Sequence, residues 1–232
     1  MMQAAILCGG LATRLRPLTE KIPKAMILVS GKPFLEHQIM LLRKNGVKDI
    51  VLCIGHLAES IEYYFKDGSQ YGVKIGYSRE EAPLGTGGAL KNAGNLLADE
   101  FIVVYGDVYL PIDYGKAWEY FKRKGKPALT VVYRNSDKYD ISNMDVVGGL
   151  VTKYEKEGGE KLTYIDAGVS ILSESVLDLL PEGKSSLERE VFPKLIQDKE
   201  LLAYETKQRF YEIGSPGGLS EFKASEHARL WI

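Results

Sequence analysis

A glycine pair followed by an arginine stands directly after the first apolar run of the chain. Residues 7–17 read LCGGLATRLRP, and Gly9 and Gly10 lie at the end of a run, residues 3–8, that is typical of a buried strand. Glycine lets backbone N–H groups approach an anion closely, and the Arg14 guanidinium adds a planar, permanently charged fork. The spacing fits neither G-x-G-x-x-G nor the P-loop pattern G-x-x-x-x-G-K-[ST]. Because a bare glycine pair is more often a tight turn than a ligand site, the rest of the chain has to decide what this loop binds.

A second group with chemical potential is a carboxylate at the end of a later strand. Asp107 ends the stretch FIVVYGD, residues 101–107. Since ligands of open α/β sheets collect outside the carboxyl ends of strands, we expect this side chain at the same sheet edge as the glycine loop. Mg²⁺ prefers oxygen ligands and is usually held by one or two carboxylates together with phosphates and water. Asp107 is therefore the leading candidate for a magnesium ligand.

The elements that must position these groups follow from hydrophobic periodicity. Short runs rich in Ile, Val, Leu and Tyr predict buried strands at residues 3–8, 50–55, 73–78 and 101–106. Between them, apolar residues at helical spacing predict amphipathic helices, carried by Leu35, Ile39 and Leu42 and by Leu57, Ile61, Tyr64 and Phe65. Strands that alternate with such helices imply βαβ units, so the expected class is an α/β sandwich with helices on both faces of a largely parallel sheet.

After residue 126 this alternation loosens. Strand-like segments predominate there, namely ALTVVYR, GLVTKYEK, YIDAGVSIL, LLAYET and RFYEIG, and helices are expected only near 173–180, 186–198 and 216–230. We expect this part to add antiparallel strands to the same sheet. No Pro/Ser-rich linker, low-complexity tract or internal repeat divides the chain, so a single domain over 1–232 is predicted. The polar stretch 155–161 predicts a flexible loop.

Composition narrows the classes of function. The chain has 232 residues, 45% of them hydrophobic, and 30 basic against 31 acidic side chains, so no general attraction to nucleic acid or anionic membrane is expected. No apolar run approaches the roughly 20 residues of a membrane span, and no signal-type N-terminus is evident, so we expect a soluble, cytoplasmic protein. Cys8 and Cys53 lie in apolar runs and are predicted to be buried hydrophobes. The three scattered histidines match no metal-ligand spacing, so zinc is not expected.

The string ILCGGLATRLRPLTEKIPKAM, residues 6–26, resembles the opening signature of the sugar-phosphate nucleotidyltransferases, L-x-G-G-x-G-T-R-L-x-P-L-T-x-x-x-P-K. Four further motifs of that family follow in family order: PLGTGGAL at 83–90, VVYGDV at 103–108, YIDAG at 164–168 and YEIGSP at 211–216. The one clear departure in the signature is Ala12, where the family normally has glycine. The resemblance implies a Rossmann-like three-layer sandwich with a mixed, mostly parallel central sheet, the nucleotide-diphospho-sugar transferase fold. It also implies a nucleotide-binding half over about 1–112, a sugar-binding half over about 113–232 and no C-terminal β-helix domain.

Membership of that family would mean that a sugar 1-phosphate oxygen attacks the α-phosphorus of a nucleoside triphosphate and displaces pyrophosphate, with Mg²⁺ as cofactor. Such chemistry needs positioned cations and in-line reactants rather than a protein nucleophile. By resemblance, the catalytic groups are Arg14 at the β and γ phosphates or the developing pyrophosphate, Lys24 at the α-phosphate, and Asp107. Glu212 takes the position of the family's second metal-binding Asp. The implied nucleotide-binding residues are Leu7, Gly9, Gly10, Thr13, Arg14, Glu80, Pro83, Gly85, Thr86 and Gly106.

Substrate choice depends on two further positions. Relatives that use uridine or thymidine triphosphate usually have a glutamine where this chain has Glu80. An ionised carboxylate only accepts hydrogen bonds, so it favours guanine N1–H and the exocyclic amine over the carbonyl oxygens of uracil. The alternative is that Glu80 and Glu81 form a solvated pair. For the sugar phosphate, the resemblance points to Lys156 of VTKYEKEG, one place earlier than the commonest register, with Asp166 and Gly168 at the sugar hydroxyls and ring.

Taken together, the motifs most resemble the guanylyltransferase branch that acts on D-glycero-D-manno-heptose 1-phosphate, so transfer of GMP from GTP is the expected function. Mannose 1-phosphate guanylyltransferase is the nearest alternative, followed by uridylyltransferases for N-acetylmuramic acid 1-phosphate or glucose 1-phosphate. A catalytically silent nucleotide- or sugar-binding relative is the alternative from another class. The expected partners are GTP and a sugar 1-phosphate, with neither nucleic acid nor membrane. The aromatic segments YYF and HARLWI could pack internally or against a second subunit, so a homodimer stays open.

Overall fold

A nine-stranded mixed sheet with helices on both faces forms the centre of the protein. The computed structural model describes residues 1–10, 12–135, 139, 141–159 and 162–231. The first part of the chain forms β1 (Gln3–Leu7), β2 (Leu28–Val29), β3 (Lys32–Pro33), α1 (Phe34–Lys44), β4 (Asp49–Ile54), α2 (Ala58–Phe65), β5 (Lys74–Arg79), α3 (Gly85–Asn92), β6 (Glu100–Tyr105), β7 (Val108–Tyr109) and α4 (Tyr114–Lys124). The remainder forms β8 (Ala128–Arg134), β9 (Met144–Val147), β10 (Leu150–Tyr154), β11 (Tyr164–Ser173), α5 (Phe192–Gln197), β12 (Leu201–Thr206), β13 (Tyr211–Glu212) and α6 (Pro216–Ala224).

The order of strands across the sheet is β5-β4-β1-β6-β11-β8-β12-β10-β9. Pairing is parallel from β5 to β6 and again between β8 and β12, and it is antiparallel in the other pairs. Strand β11 lies antiparallel to β6 and so joins the strands of the two parts of the chain into one sheet. The predicted α/β sandwich, with antiparallel strands contributed after residue 126, is confirmed.

Continuous apolar runs in the inner strands are explained by two cores, one on each face of the sheet. In β6, Ile102 and Val104 face the core that includes residues of α1, α2, α4 and α6, whereas Phe101 and Val103 face the core under α3 and α5. Successive side chains of a strand point to opposite faces, so a strand covered on both faces needs apolar residues at every position. The runs at 3–8 and 101–106 therefore form central strands of the sheet.

The helices predicted in the second half are confirmed in broken form. They appear as a 3₁₀ segment at Glu174–Leu179, a π-helical turn at Leu187–Val191 that continues into α5, and α6 followed by a 3₁₀ turn at Glu226–Arg229. The sequence analysis missed α4, which begins after Asp113, whose carboxylate accepts a hydrogen bond from Lys116 N at 3.0 Å. It also missed β9. The predicted loop 155–161 lies partly outside the described residues, at positions 160 and 161.

RFYEIG differs most from its prediction as a strand of the sheet. Only β13 forms there, and it pairs with β7 in a separate two-stranded ribbon, with Glu212 opposite Val108. The backbone N–H of Ile213 donates to the carbonyl of Asp107 at 2.9 Å. Behind the ribbon, the buried Phe222 ring of α6 packs against Tyr109 at 5.0 Å between centroids. The ribbon thus brings Glu212 beside Asp107, which the sequence places far away.

Within the described part of the chain, no helix has the length and apolar character needed to cross a membrane.

Candidate active site

The glycine loop lies where the carboxyl ends of β1 and β6 come together. Gly9 and Gly10 follow β1, and the backbone N–H of Gly106 donates to the carbonyl of Leu7 at 3.0 Å. A Cβ on residue 106 would overlap that carbonyl oxygen, so only glycine allows the two strand ends to approach this closely. The turn that carries Asp107 is thereby held against the glycine loop, at the sheet edge where both were predicted.

Ala12 adopts a left-handed backbone conformation, with φ 47° and ψ 44°. Its carbonyl accepts hydrogen bonds from Leu15 N at 3.1 Å and from the Thr19 hydroxyl at 2.9 Å, which hold the conformation in place. Left-handed geometry costs an ordinary L-residue about 1–2 kcal/mol and glycine very little. The departure from glycine at this position therefore puts strain into the turn before Arg14.

Two ion pairs join the predicted cations to the predicted metal ligands. Lys24 Nζ lies 2.5 Å from Asp107 Oδ2, and both side chains are about one-fifth exposed, at 20% and 19%. Arg14 Nη2 lies 3.1 Å from Glu212 Oε1, with the guanidinium well exposed to solvent. Water screens the second pair more than the first. All four side chains that the sequence assigns to phosphoryl transfer therefore stand in one group.

The geometry around Gly214 tests whether this group suits a divalent cation. A Cβ at Gly214 would lie 3.1 Å from Asp107 Oδ2 and 2.8 Å from Arg14 Nη2, and it would overlap Glu212 Oε1. Oxygens of both carboxylates thus border one small space that glycine leaves open. Among the described residues no cluster of three or more His, Cys, Asp or Glu side chains is suited to a metal. Two carboxylates, with phosphates and water completing the shell, are the usual arrangement for Mg²⁺, so the residues fit that ion.

Two clefts open on this group, and we name them by their most characteristic feature. The glycine-loop cleft, of about 390 Å³, is lined by Leu7, Gly9, Gly10, Lys24, Glu80, Pro83, Gly85, Thr86, Ala89, Tyr105, Gly106, Asp107, Lys156, Lys184 and Glu188. The bulge cleft, of about 350 Å³, is lined by Arg14, Tyr105, Asp107, Val108, Asn143, Tyr154, Lys156, Glu157, Ile165, Asp166, Gly168, Glu188, Phe210 and Glu212. Both clefts include Tyr105, Asp107, Lys156 and Glu188, so they meet at the ion-paired group.

The residues predicted to bind the nucleotide and those predicted to bind the sugar phosphate lie mostly in different clefts. Eight of the residues predicted to bind nucleotide line the glycine-loop cleft, where Lys24 and Asp107 also lie. The residues predicted to bind the sugar phosphate line the bulge cleft, and Arg14 stands there with Glu212. Thr13 is exposed on the turn Thr13–Leu15 and lines neither cleft.

Glu80 lies at the outer end of the glycine-loop cleft. Its carboxylate lies over Gly9 and Gly55 and accepts a hydrogen bond from Leu84 N at 3.1 Å. Burial raises the pKa of Glu80, and the hydrogen bond from Leu84 opposes this shift. A further opening of about 490 Å³ continues outward from Gly9 and Glu80 and is lined by Gly55, His56, Arg79, Glu81, Ala82 and Pro83 as well. The sequence analysis did not anticipate Gly55 and His56 in this position.

A bulge in β11 shapes the second cleft. The pairing of β11 with β8 shifts register between Asp166 and Ser170, and Gly168 there has φ 74°, with a position for Cβ only 2.6 Å from Val108 Cγ2. Asp166 accepts a hydrogen bond from the Gly168 N–H at 2.9 Å, and its own N–H donates to Asn143 Oδ1 at 3.0 Å. Burial raises the pKa of Asp166 to about 7, against the opposing effect of the Gly168 N–H.

Sequence reasoning missed Glu188, whose carboxylate accepts the most hydrogen bonds in the site. It is 3% exposed and accepts from the hydroxyls of Tyr105, Thr86 and Ser186, the second at 2.8 Å and the third at 2.5 Å. Lys156 Nζ stands 3.4 Å from it. Burial alone would raise the pKa of Glu188, but the hydroxyl donors and the Lys156 ammonium outweigh it, and the pKa is lowered. The local sequence, LEREV at Leu187–Val191, gave no sign of this role, because Glu188 is one of three consecutive charged residues there.

Cys8 and Cys53 are buried, as predicted, at 6% and 3% exposure. Loss of hydration raises the pKa of both thiols, to about 12 for Cys53. They therefore act as small core residues.

Fold and clefts together define an α/β protein in which two openings suited to anionic ligands converge on a pair of carboxylates and a pair of cations. A family profile described as Nucleotidyl transferase matches residues 3–228. The chain belongs to the nucleotidyl transferase family, as the motifs predicted.

Two relatives illustrate where the chain stands among curated sequences. D-glycero-alpha-D-manno-heptose 1-phosphate guanylyltransferase of Campylobacter jejuni is 38% identical over 189 residues, which cover 81% of this chain and 83% of that protein. Mannose-1-phosphate guanylyltransferase catalytic subunit beta of Xenopus tropicalis is 33% identical over 222 residues, which cover 93% of this chain. The chain spans 62% of the length of that second relative.

Solved structures agree with the fold. HddC from Yersinia pseudotuberculosis superposes with a TM-score of 0.83 at 31% identity, over 96% of this chain and 98% of that one. The same protein complexed with GMP-PN gives a TM-score of 0.81 at 30% identity, over 95% and 97% of the two chains.

The strained turn at Ala12 makes a stability prediction. Ala12→Gly should raise the free energy of unfolding by about 0.5–1 kcal/mol. Glycine adopts φ 47° without the steric cost, and this gain exceeds the loss that comes from the greater conformational entropy of glycine in the unfolded chain. Urea denaturation followed by circular dichroism measures the change. Ala224→Gly, at the right-handed end of α6, is the control and should not stabilise. A loss of stability in Ala12→Gly would contradict the assigned strain.

Asp166 predicts a pH dependence of stability. Its pKa is about 7 when folded against 3.8 ordinarily, so between about pH 4 and 7 the folded state holds a proton that the unfolded chain has released, and stability falls as the pH rises. Asp166→Asn keeps the acceptor without the charge. The free energy of unfolding of Asp166→Asn minus that of wild type should therefore become more positive by about 1–3 kcal/mol when the pH is raised from 4 to 8. Urea titrations at both pH values test this, with the exposed Asp198→Asn as control; a pH-independent difference would refute the raised pKa.

Proposed function

We propose that this protein transfers GMP from GTP to a sugar 1-phosphate, with release of pyrophosphate, and that D-glycero-D-manno-heptose 1-phosphate is the preferred acceptor. The observation that carries the proposal is the meeting of the glycine-loop and bulge clefts at the paired Lys24 and Asp107. Two reactants held in separate clefts that share this point have their phosphates side by side. The heptose acceptor is favoured because the Campylobacter jejuni relative matches over most of both chains.

The residues divide the work of bringing two polyanions together. In the glycine-loop cleft, Lys24 would neutralise the α-phosphate. Arg14, which lines the bulge cleft beside Glu212, would stabilise the charge that develops on the departing pyrophosphate. In the bulge cleft, Lys156 would hold the sugar phosphate so that its oxygen attacks the α-phosphorus in line. These cations are paired with carboxylates in the structure, so an incoming phosphate competes for groups that are already oriented. No protein nucleophile takes part.

Asp107 and Glu212 would hold the magnesium ion. When bound, Mg²⁺ supplies positive charge to the phosphoryl oxygens as they gain charge in the transition state. The same two carboxylates hold Lys24 and Arg14 by ion pairs, so both cations stand beside the residues that would bind the metal.

Glu80 would select guanine. Its carboxylate stands at the outer end of the glycine-loop cleft, beside an opening of about 490 Å³ that can admit a base. An acceptor there matches the N1–H and exocyclic amine of guanine. The Yersinia pseudotuberculosis neighbour complexed with GMP-PN supports a guanine nucleotide.

Mannose 1-phosphate is the second candidate acceptor. It is supported by the 33% identity to the Xenopus tropicalis mannose-1-phosphate guanylyltransferase subunit across 93% of this chain.

Pyrophosphate release from the wild-type protein tests the proposal. Each of GTP, UTP, ATP and CTP is combined with heptose, mannose, glucose and N-acetylmuramic acid 1-phosphates in the presence of Mg²⁺. The highest kcat/KM is expected for GTP with the heptose phosphate. Turnover with UTP alone would refute the assignment of Glu80, and folded protein without turnover for any pair would favour a silent binding relative.

Glu80→Gln is predicted to reduce the preference for guanine. The amide can both donate and accept, so the ratio of kcat/KM for GTP over UTP should fall by about tenfold or more. Wild-type protein should also prefer GTP over inosine triphosphate, which lacks the exocyclic amine, and the variant should lose this preference. Glu119→Gln, on the exposed face of α4, is the control. An unchanged nucleotide profile would remove Glu80 from the base site.

Asp107→Asn is predicted to lower kcat by about 10²-fold or more, because it removes a metal ligand and the partner of Lys24 at the reacting centre. Steady-state rates across a range of Mg²⁺ concentrations measure the loss. The exposed Asp198→Asn serves as the matched control, and circular dichroism verifies folding. A rate equal to wild type at all magnesium concentrations would exclude Asp107 from the metal site.

A further inference from the structure

A buried carboxylate links the two clefts. Glu188 lies on the π-helical turn Leu187–Val191, lines both clefts and is 3% exposed. Three of its hydrogen-bond donors are neutral hydroxyls, which belong to Thr86 at the start of α3, Tyr105 at the end of β6 and Ser186 before its own turn. Donors from three separate segments of the chain therefore fix the position of this carboxylate.

The charge of Glu188 is balanced from one side only. Among the residues that the structure describes, Lys156 is the only cation that hydrogen-bonds it, with Nζ 3.4 Å from Oε2. A buried carboxylate is costly unless it is paired, so the attraction holds the ammonium group near Glu188. The Lys156 side chain is 41% exposed, and it lines both clefts. The carboxylate is thus the fixed partner, and the lysine is the partner that a ligand can reach.

Thr86 connects this pair to the nucleotide side. Its hydroxyl donates to Glu188 Oε2 at 2.8 Å and accepts from Leu187 N at 3.0 Å. One hydroxyl therefore ties the first turn of α3, which borders the glycine-loop cleft, to the turn that carries Glu188. The position of Lys156 is consequently set relative to the glycine-loop cleft as well as the bulge cleft.

We infer that Glu188 is a positioning residue that acts through Lys156: it holds the ammonium group at the junction of the clefts, where the sugar phosphate meets the nucleotide. The inference rests on the proposed function, which places Lys156 at the sugar phosphate. A long lysine side chain samples many rotamers in water, and a fixed anion nearby reduces the cost of ordering it when the substrate binds. The role therefore concerns productive binding of the acceptor more than binding of the nucleotide.

A double-mutant cycle on the 232-residue protein tests this role. Glu188→Gln should raise the KM for the sugar 1-phosphate by about tenfold or more, while the KM for GTP changes less than about threefold. Lys156→Met should have an effect of similar size. If Glu188 acts through Lys156, the double variant should be no worse than Lys156→Met, within about twofold. Multiplicative effects of the two substitutions, or an equal rise of both KM values, would overturn the inference.

The Lys126–Glu200 ion pair is a matched control. It has a similar separation of 3.3 Å and is partly exposed, but it lies outside both clefts. Lys126→Met and Glu200→Gln should leave both KM values unchanged. Thermal unfolding of every variant identifies a loss of folding. Should Glu188→Gln not fold, Glu188→Asp keeps the charge and shortens the reach, and it should raise the KM for the sugar phosphate alone.

Competitive acetylation of lysines provides a readout that does not depend on turnover. In Glu188→Gln, the labelling rate of Lys156 should increase at least about threefold relative to Lys126, because an amine that is no longer held by a carboxylate is more available to the reagent. Glu200→Gln should instead increase labelling of Lys126. An unchanged rate at Lys156 would refute the contact. Absence of wild-type turnover would refute the proposed function, whereas the labelling still decides whether Glu188 holds Lys156.

Discussion

Opposite charges at the carboxyl edge of the sheet constrain the whole site. Lys24 and Asp107 lie 2.5 Å apart and are mostly withdrawn from solvent, so each compensates a desolvation cost of several kcal/mol that the other would incur alone. The turn carrying Asp107 can reach this position only because Gly106 allows β6 to end against β1. Arg14 and Glu212 form a second ion pair, which is more exposed to solvent. A site with this composition is nearly neutral until polyanions enter it.

Both halves of the chain complete each cleft. Lys156 and Glu188 come from the second half, yet they line the cleft that the glycine loop begins. Asp107 comes from the first half and borders the cleft formed by the bulge in β11. This exchange follows from the sheet order, in which β11 pairs directly with β6. The predicted boundary near residue 112, between a nucleotide-binding half and a sugar-binding half, therefore does not separate the two clefts.

The sequence was most informative where structure depends on neighbours along the chain. Apolar runs identified the inner strands, since every position of such a strand is buried, and the glycine pair after β1 marked the loop. Prediction was poorer where long-range pairing decides the outcome. RFYEIG has the composition of a sheet strand, but its partner is the two-residue β7, so only Tyr211–Glu212 pairs. In its local sequence, Glu188 resembles an exposed residue on a helix surface. Its burial could not be predicted, because the hydroxyls that hydrogen-bond to it belong to Thr86 and Tyr105, which are remote in sequence.

By itself, the sequence determined the kinds of chemical group available, their order along the chain and the α/β alternation of the first half, because side-chain type and periodicity are local properties. Only the tertiary structure decided that Glu212 would stand beside Asp107, that a bulge at Gly168 would open a second cleft, and that Lys156 would be paired with a buried anion. Ion pairing and desolvation depend on distances of a few ångströms between residues from distant segments. The packing of the sheet sets those distances, and spacing along one chain does not encode them.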